Sequence, residues 1–182
     1  MPGSGKSHLA EAVRVAIGTA VVRTDEVRSI LFPVPTFAPS ESAAVYLACF
    51  ATVRALLRDG HAVVFDGTNG RQSGRRRLAR IAREEGAGHV SVLVRAAPEV
   101  VRARIVRRTA GEAPAFGSGA GIEVYERMAQ SEDYGGRFGM VVDASGEIAS
   151  AVARIVAVIG ETESIDGIGW RSVRAGRKGK GQ

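Results

Sequence analysis

The chain has 182 residues, of which 45% are apolar and 24% are charged, as in an ordinary soluble globular domain. No apolar run approaches the roughly 20 residues that span a bilayer, so the composition argues against a membrane protein. The formal charge is +6, but residues 171–182 hold five basic residues and no acid, which leaves +1 for the rest and disfavours nucleic acid as a partner.

The spacing of apolar residues predicts helices that alternate with short Val-rich strands. In chain order the predicted elements are a helix over 7–18, a strand over 20–23, helices over 25–31 and 42–58, a strand over 61–65, a helix over 75–85, a strand over 89–95, helices over 98–108 and 122–130, a strand over 140–142 and a helix over 147–159. This alternation predicts an α/β fold, a parallel sheet with helices on both faces. Ligands bind such sheets at the carboxyl ends of the strands.

Two segments differ in composition from these elements. Residues 109–121 are rich in Gly, Ala and Pro, which predicts a mobile lid. After Gly160 the composition turns to Gly, Ser and charge, so we expect a domain over 1–160 and a basic, disordered tail over 161–182 that is dispensable for folding. The only cysteine, Cys49, excludes an internal disulfide and favours a cytoplasmic protein.

The chain opens with Met-Pro-Gly-Ser-Gly-Lys-Ser, directly before the first predicted helix. Glycines let the backbone wrap closely around an anion, and the helix start adds its positive dipole end. Lys6 can reach the β- and γ-phosphates of a nucleotide, and the Ser7 hydroxyl can ligate Mg²⁺. The structural alternative is a plain Gly-Ser turn. The predicted nucleotide-binding residues are Gly3, Ser4, Gly5, Lys6, Ser7 and His8.

The full phosphate-loop pattern is Gly-x-x-x-x-Gly-Lys-Ser/Thr, and its first glycine would fall ahead of Met1. The strand that should enter the loop is missing as well. We expect either a natural product that begins upstream with a Val/Leu/Ile-rich strand or a degraded relative of a nucleotide-binding enzyme.

Asp25 follows the predicted strand over 20–23. A carboxylate at the carboxyl end of a strand can accept the proton of an attacking hydroxyl. Arg28 lies on the same helical face and can bind an anionic part of an acceptor. The structural alternative is that Asp25 caps the short helix and pairs with Arg28. Its place after the second strand of a phosphate-loop fold favours the catalytic interpretation.

Asp66 follows the predicted strand over 61–65 and opens the sequence Asp-Gly-Thr-Asn. A carboxylate on the strand beside a phosphate loop holds Mg²⁺ directly or through water. Thr68 and Asn69 can orient this carboxylate or contact the acceptor. A turn opened by the Asp66 side chain is the structural alternative, and we favour the metal site.

Four arginines lie on the helix that follows Pro98: Arg102, Arg104, Arg107 and Arg108. Arg104 and Arg108 share one face of that helix. Phosphoryl transfer needs cations around the equatorial oxygens, often supplied by a mobile segment. A solvated basic face is an equally good explanation for any one of them, and it is our prediction for the arginines at 75–77.

Together these segments resemble the P-loop kinases of the polynucleotide kinase and zeta-toxin-like group, which are ATP-binding proteins of the AAA family. The resemblance covers residues 2–158 and rests on four segments: Gly3-Ser-Gly-Lys-Ser7, Thr24-Asp-Glu-Val-Arg28, Phe65-Asp-Gly-Thr-Asn69 and Arg104-Ile-Val-Arg-Arg108. It implies a sheet of strand order 2-3-1-4-5 in which strand 1, the central strand that enters the phosphate loop, is missing or truncated here.

The resemblance also implies transfer of the ATP γ-phosphate to a hydroxyl, with ATP and Mg²⁺ as cofactors. The residue roles follow as catalytic Lys6, Asp25, Arg104 and Arg108, substrate-binding Arg28, Thr68 and Asn69, and metal-binding Ser7 and Asp66. The near-neutral body favours a small molecule or a nucleotide as acceptor over a nucleic-acid 5′-hydroxyl. A nucleotide-binding module or inactive remnant is the second hypothesis. The missing strand favours this second hypothesis, whereas Asp25 and the arginines favour the kinase.

Overall fold

The computed structural model describes residues 1–112, 121–131 and 138–165, and helices alternate with strands through them. The elements are α1 (Lys6–Ile17), β1 (Ala20–Arg23), α2 (Thr24–Leu31), α3 (Pro39–Arg58), β2 (Val63–Asp66), α4 (Gln72–Glu84), β3 (Val92–Arg95), α5 (Pro98–Thr109), α6 (Ile122–Ser131), β4 (Met140–Asp143) and α7 (Ala149–Ile165). The predicted α/β alternation is confirmed.

The four strands form two parallel pairs. β1 pairs with β2 so that Arg23 lies opposite Asp66, and β3 pairs with β4 so that Arg95 lies opposite Asp143. Within the described residues no ladder joins β2 to β3. In the expected order 2-3-1-4-5, β1 and β2 correspond to strands 2 and 3, and β3 and β4 correspond to strands 4 and 5. The break therefore falls where the expected order places strand 1.

A cavity of about 300 Å³ is lined by both strands that border this break, and we call it the slot. Val64 of β2, Leu93 of β3 and Leu9 of α1 contribute to its walls. Met1, Lys6 and Asp66 also line the slot. The slot thus borders the predicted phosphate loop as well as the two strands.

Helices pack on both faces of the strands. Successive side chains of a strand point to opposite faces, so apolar residues in a row need cover on each side. Val63 and Phe65 pack against a core formed by α3 and α4, whereas Val64 packs against a core formed by α1 and α7. The shared edge where β1 and β2 end is thereby fixed between two apolar layers, and this edge carries Asp66.

Several element boundaries differ from the predictions. α3 begins at Pro39 rather than at 42, because proline fits the first turn of a helix. α4 begins at Gln72 rather than at 75. β2 and β3 begin at Val63 and Val92, later than the predicted 61 and 89.

α7 continues to Ile165, five residues beyond the expected domain boundary at 160. An interior glycine costs a helix only about 1 kcal/mol, so Gly160 does not end a helix that is already formed. Residues 113–120 of the predicted lid and residues 166–182 of the predicted tail lie outside the described residues.

By length and composition alone, α3 could cross a membrane, since it has 20 residues and a stretch of 18 of them has a mean hydropathy of 1.2. The prediction that no segment approaches this length is therefore wrong for α3. The helix also carries buried Val45, Cys49, Phe50 and Val53, which pack in one cluster with residues of β1 and α4. Burial raises the pKa of the Cys49 thiol to about 11.

Candidate active site

The candidate site lies where β1 and β2 end side by side. Their register places Arg23 opposite Asp66, and Asp25 follows two residues beyond Arg23 in the first turn of α2. The Thr24 hydroxyl donates a hydrogen bond of 3.5 Å to the backbone carbonyl of Asp66. The two predicted carboxylates thereby lie at one edge of the strand pair.

Asp25 is surrounded by charges of both signs. Burial raises the pKa of its carboxyl group, and the nearby Asp66 raises the pKa further. The positive charges of Lys6, Arg28 and Arg108 act in the opposite direction without reversing the shift. A carboxylate with a raised pKa is a better proton acceptor near neutral pH than an ordinary one.

The alternative role of Asp25 as a helix cap does not match this geometry. α2 already begins at Thr24, the preceding Arg23 occupies the N-cap position, and no side chain makes a capping hydrogen bond. Arg28 is not held by Asp25 either, because the guanidinium pairs with Glu41. The Asp25 side chain is therefore placed by burial and charge rather than by a capping hydrogen bond.

The loop before α1 forms a tight cradle at two glycines. Gly3 and Gly5 have φ angles of 73° and 92°, a region that side chains rarely tolerate. A Cβ atom on Gly3 would lie 2.9 Å from Val101 Cγ1, and one on Gly5 would lie 3.1 Å from Ala144 Cβ. The Lys6 amino group and the Ser4 hydroxyl both donate to the Met1 carbonyl.

This cradle fits a phosphate group. Gly5 is the N-cap residue of α1 and has no side chain that could cap the helix. The N–H groups of the first turn also have no acceptor within the helix. Arg104 NH2 donates to the Ala144 carbonyl at 2.6 Å, while its NH1 is buried without a hydrogen-bond partner among the described residues. That NH1 lies 3.3 Å from the position a Cβ atom would take on Gly5. An anion in the cradle could accept hydrogen bonds from the first-turn N–H groups of α1 and from Arg104 NH1.

The four arginines of α5 divide into two pairs. Arg104 lies beside the cradle, and the charge of Arg108 acts on Asp25. Arg102 and Arg107 are exposed and lie 3.9 Å and 3.8 Å from the carboxylates of Glu126 and Glu112. The shared face predicted for Arg104 and Arg108 thus points toward the candidate site.

The two predicted Mg²⁺ ligands, Asp66 and Ser7, both carry oxygen donors. Asp66 is 8% exposed, and its carboxylate lies 3.8 Å from Arg23 Nε. Ser7, the second residue of α1, is partly buried. Mg²⁺ prefers one or two protein oxygens together with nucleotide phosphates. The described residues contain no cluster of three metal-binding side chains. His8 is exposed.

The segment after Asp66 is held by its backbone. The hydroxyl of Tyr46 donates to the Thr68 carbonyl at 2.7 Å, and burial raises the pKa of this tyrosine to about 12. A Cβ atom on Gly67 would lie 2.7 Å from Thr24 Cγ2, so the close approach requires glycine. The Asn69 Oδ1 atom is buried and has no hydrogen-bond partner in the described part of the chain. Tyr46 was not predicted from the sequence.

Arg75 corrects the prediction of a solvated basic run at 75–77. Its side chain is buried, and its NH1 donates to the carbonyls of Asn69 and Gly70 at 2.7 Å each. The guanidinium also lies 4.6 Å from the ring centroid of Phe138. Arg76 remains exposed, as predicted. Arg75 therefore ties the turn after β2 to α4.

We expect Arg75→Ala to lower the free energy of unfolding by about 1–3 kcal/mol, because it leaves two partly buried carbonyls without this donor. Arg76→Ala, on the exposed side of the same helix, should change it by no more than about 0.5 kcal/mol. Urea unfolding of both variants measures the difference. Equal losses would mean that the carbonyl contacts of Arg75 contribute nothing.

Comparison with known proteins decides the family. Residues 1–131 match the model of a family described as an AAA domain. The chain belongs to this AAA domain family. An uncharacterized protein of Mycobacterium tuberculosis, Rv2004c, is 32% identical to this AAA domain over 126 residues, which are 63% of the chain and 25% of the relative. The chain thus spans a quarter of the length of the curated relatives it matches.

Solved structures of P-loop kinases share the fold of the AAA domain. The APS kinase CysC of Mycobacterium tuberculosis, solved with AMPPNP and APS, aligns with a TM-score of 0.65 at 16% identity over 88% of this chain and 93% of its own. A gluconokinase from Sinorhizobium meliloti aligns with a TM-score of 0.59 at 20% identity over 89% of each chain. The resemblance to P-loop kinases predicted from the motifs is confirmed at the level of family and fold.

Proposed function

We propose that this AAA domain transfers the γ-phosphate of ATP to a hydroxyl group of a small molecule or nucleotide. The observation that carries the proposal is the convergence of Asp25, Asp66 and Lys6 at one strand edge, beside a glycine cradle that faces Arg104. A carboxylate pair next to a phosphate cradle supplies the two things that phosphoryl transfer needs, a proton acceptor and charge stabilisation.

The proposed roles follow from the distribution of charge. Lys6 and the amides of the Gly3–Ser7 loop bind the nucleotide phosphates, and Ser7 and Asp66 hold Mg²⁺, which neutralises phosphate charge when bound. Asp25 accepts the proton of the acceptor hydroxyl. Arg104 and Arg108 face the transferred group from α5. Thr68 and Asn69 border the acceptor. Because ATP is the phosphate donor, we place the reaction in the cytoplasm.

The proposed acceptor is a small molecule rather than a nucleic-acid end. A nucleic-acid 5′-hydroxyl would require contacts to the phosphate backbone, and the chain outside residues 171–182 carries a formal charge of only +1. The fold neighbours named as APS kinase and gluconokinase act, by those names, on small acceptors; at 16% and 20% identity they support the size of the acceptor and not its charge.

A nucleotide-binding module without turnover is the second candidate. The split between β2 and β3 favours it, because a phosphate loop is held in shape by the strand that enters it and the helix that leaves it. An assay of ADP formation against sugars, nucleosides and a 5′-hydroxyl oligonucleotide separates the two. ADP formation that depends on one acceptor class supports the kinase. ATP binding without any such formation supports the module.

We expect Lys6→Ala to weaken Mg-ATP binding by at least about tenfold, the effect of losing one charge-assisted hydrogen bond. Arg14→Ala, an exposed cation on the same helix, should leave the affinity unchanged. Isothermal calorimetry measures both. Equal ATP affinity in the wild type and Lys6→Ala would remove the phosphate loop from the proposal.

A further inference from the structure

Glu41, in the first turn of α3, forms a buried network that was not predicted from the sequence. The side chain accepts hydrogen bonds from the Thr36 amide at 2.7 Å, the Thr36 hydroxyl at 2.8 Å and the Phe37 amide at 3.2 Å. Arg28 NH1 donates to the same carboxylate. Glu41 is only 6% exposed. One carboxylate thereby joins the loop before α3 to the helix that carries Asp25.

The guanidinium of Arg28 is enclosed on the other sides as well. Its NH2 lies 3.4 Å from the Ser42 hydroxyl, and its Cζ lies 4.7 Å from the ring centroid of Phe37. Its Nε is buried and has no hydrogen-bond partner among the described residues. Recognition of a carboxylate or phosphate by arginine uses two parallel N–H groups. Both terminal nitrogens of Arg28 already have partners within the protein.

We propose that Glu41 determines acceptor specificity: by neutralising Arg28, it makes the site beside Asp25 selective for uncharged hydroxyl compounds over anionic ones. The inference rests on the proposed kinase function and narrows its substrate class. It replaces the prediction that Arg28 binds an anionic part of the acceptor.

The energetic argument is the cost of separating this pair. An anionic acceptor could bind Arg28 only by displacing Glu41, and a buried carboxylate that loses its cation is strongly disfavoured. Burial alone would raise the pKa of Glu41, but hydrogen bonds from Thr36, Arg28 and Phe37 outweigh it and lower the pKa to about 2. Glu41 therefore stays ionised at neutral pH, and the charge of Arg28 stays compensated.

Sulfate binding tests the role of Glu41 without knowledge of the acceptor. Sulfate is titrated into protein saturated with a non-hydrolysable ATP analogue, which occupies the phosphate loop. We expect Glu41→Gln to bind sulfate at least about tenfold more tightly than the wild type, because Arg28 loses its counter-charge. The double variant Arg28→Gln/Glu41→Gln, which leaves no buried charge, should lose this gain. Glu26→Gln, an exposed carboxylate on α2, is the matched control.

Equal sulfate affinity in the wild type and Glu41→Gln overturns the proposal. If Glu41→Gln does not fold, an acceptor pair with the same open carbon chain but a different charge, such as glucitol with gluconate, decides the question in the wild type and the double variant. Preference of the wild type for the neutral member supports the proposal, and preference for the anionic member overturns it. If the variants bind sulfate as expected but no compound leads to ADP formation, the kinase function is contradicted and the effect of Glu41 on Arg28 is not.

Discussion

Replacing Asp25 with asparagine should lower kcat for phosphoryl transfer by about 10² to 10⁴, the usual contribution of a general base. The amide keeps the size of the side chain but cannot accept the proton of the acceptor hydroxyl. ATP affinity should stay close to that of the wild type, because the proposed phosphate contacts come from the loop before α1. Steady-state ADP formation and calorimetric ATP binding, measured on the same preparation, give the two quantities.

Stability distinguishes this outcome from simple damage to the fold. The raised pKa of Asp25 means that its ionised form is disfavoured in the folded protein, so its contribution to stability falls as pH rises through that pKa. Asp25→Asn should therefore unfold at neutral pH no more readily than the wild type. Glu26→Gln, the exposed neighbour, controls for the loss of one negative charge on α2. Transfer at the wild-type rate in Asp25→Asn would leave Asp25 without a catalytic role.

Features confined to one short segment were predictable from the sequence. The glycines at 3 and 5 precede a lysine, a serine and an amphipathic helix, and the structure gives both glycines the positive φ that such a loop needs. Asp25 and Asp66 were found because each follows a Val-rich strand, and parallel strands end at a common edge. The motif order alone therefore indicated which polar residues meet.

Contacts between distant segments were not predictable in the same way. The helical spacing of Arg75 from the buried Leu78 was a local sign that this arginine faces the core. Its contact with Phe138, more than 60 residues along the chain, had no such sign. The prediction that Arg28 binds an anion did not take Glu41 into account, because the helix was predicted to begin at residue 42. Proline followed by an acid in the first helical turn was the available signal for Glu41.

A second large effect is expected on stability when a strand is added between β2 and β3. The described part of the chain leaves one edge of β2 and one edge of β3 without a ladder partner, and the slot between them is lined largely by apolar side chains. Fusing Val-Ile-Val-Leu-Ile-Gly ahead of Met1 should supply a central parallel strand. We expect the free energy of unfolding to rise by about 3 kcal/mol, since each buried backbone group left unpaired costs about 1–3 kcal/mol.

At this chain length a gain of about 3 kcal/mol corresponds to a rise in Tm of about 6–12 °C. A fused Ser-Asn-Thr-Ser-Asn-Gly segment of equal length is the control, because its polar side chains cannot pack against Val64, Leu93 and Leu9. Mg-ATP affinity should rise with the apolar extension alone, since the strand would hold the loop at Gly3 and Gly5 in its binding shape. Equal melting temperatures for the two extensions would mean that the slot is not a strand site. The break between β2 and β3 would then be a lasting feature of this fold, which would favour the binding module over the kinase.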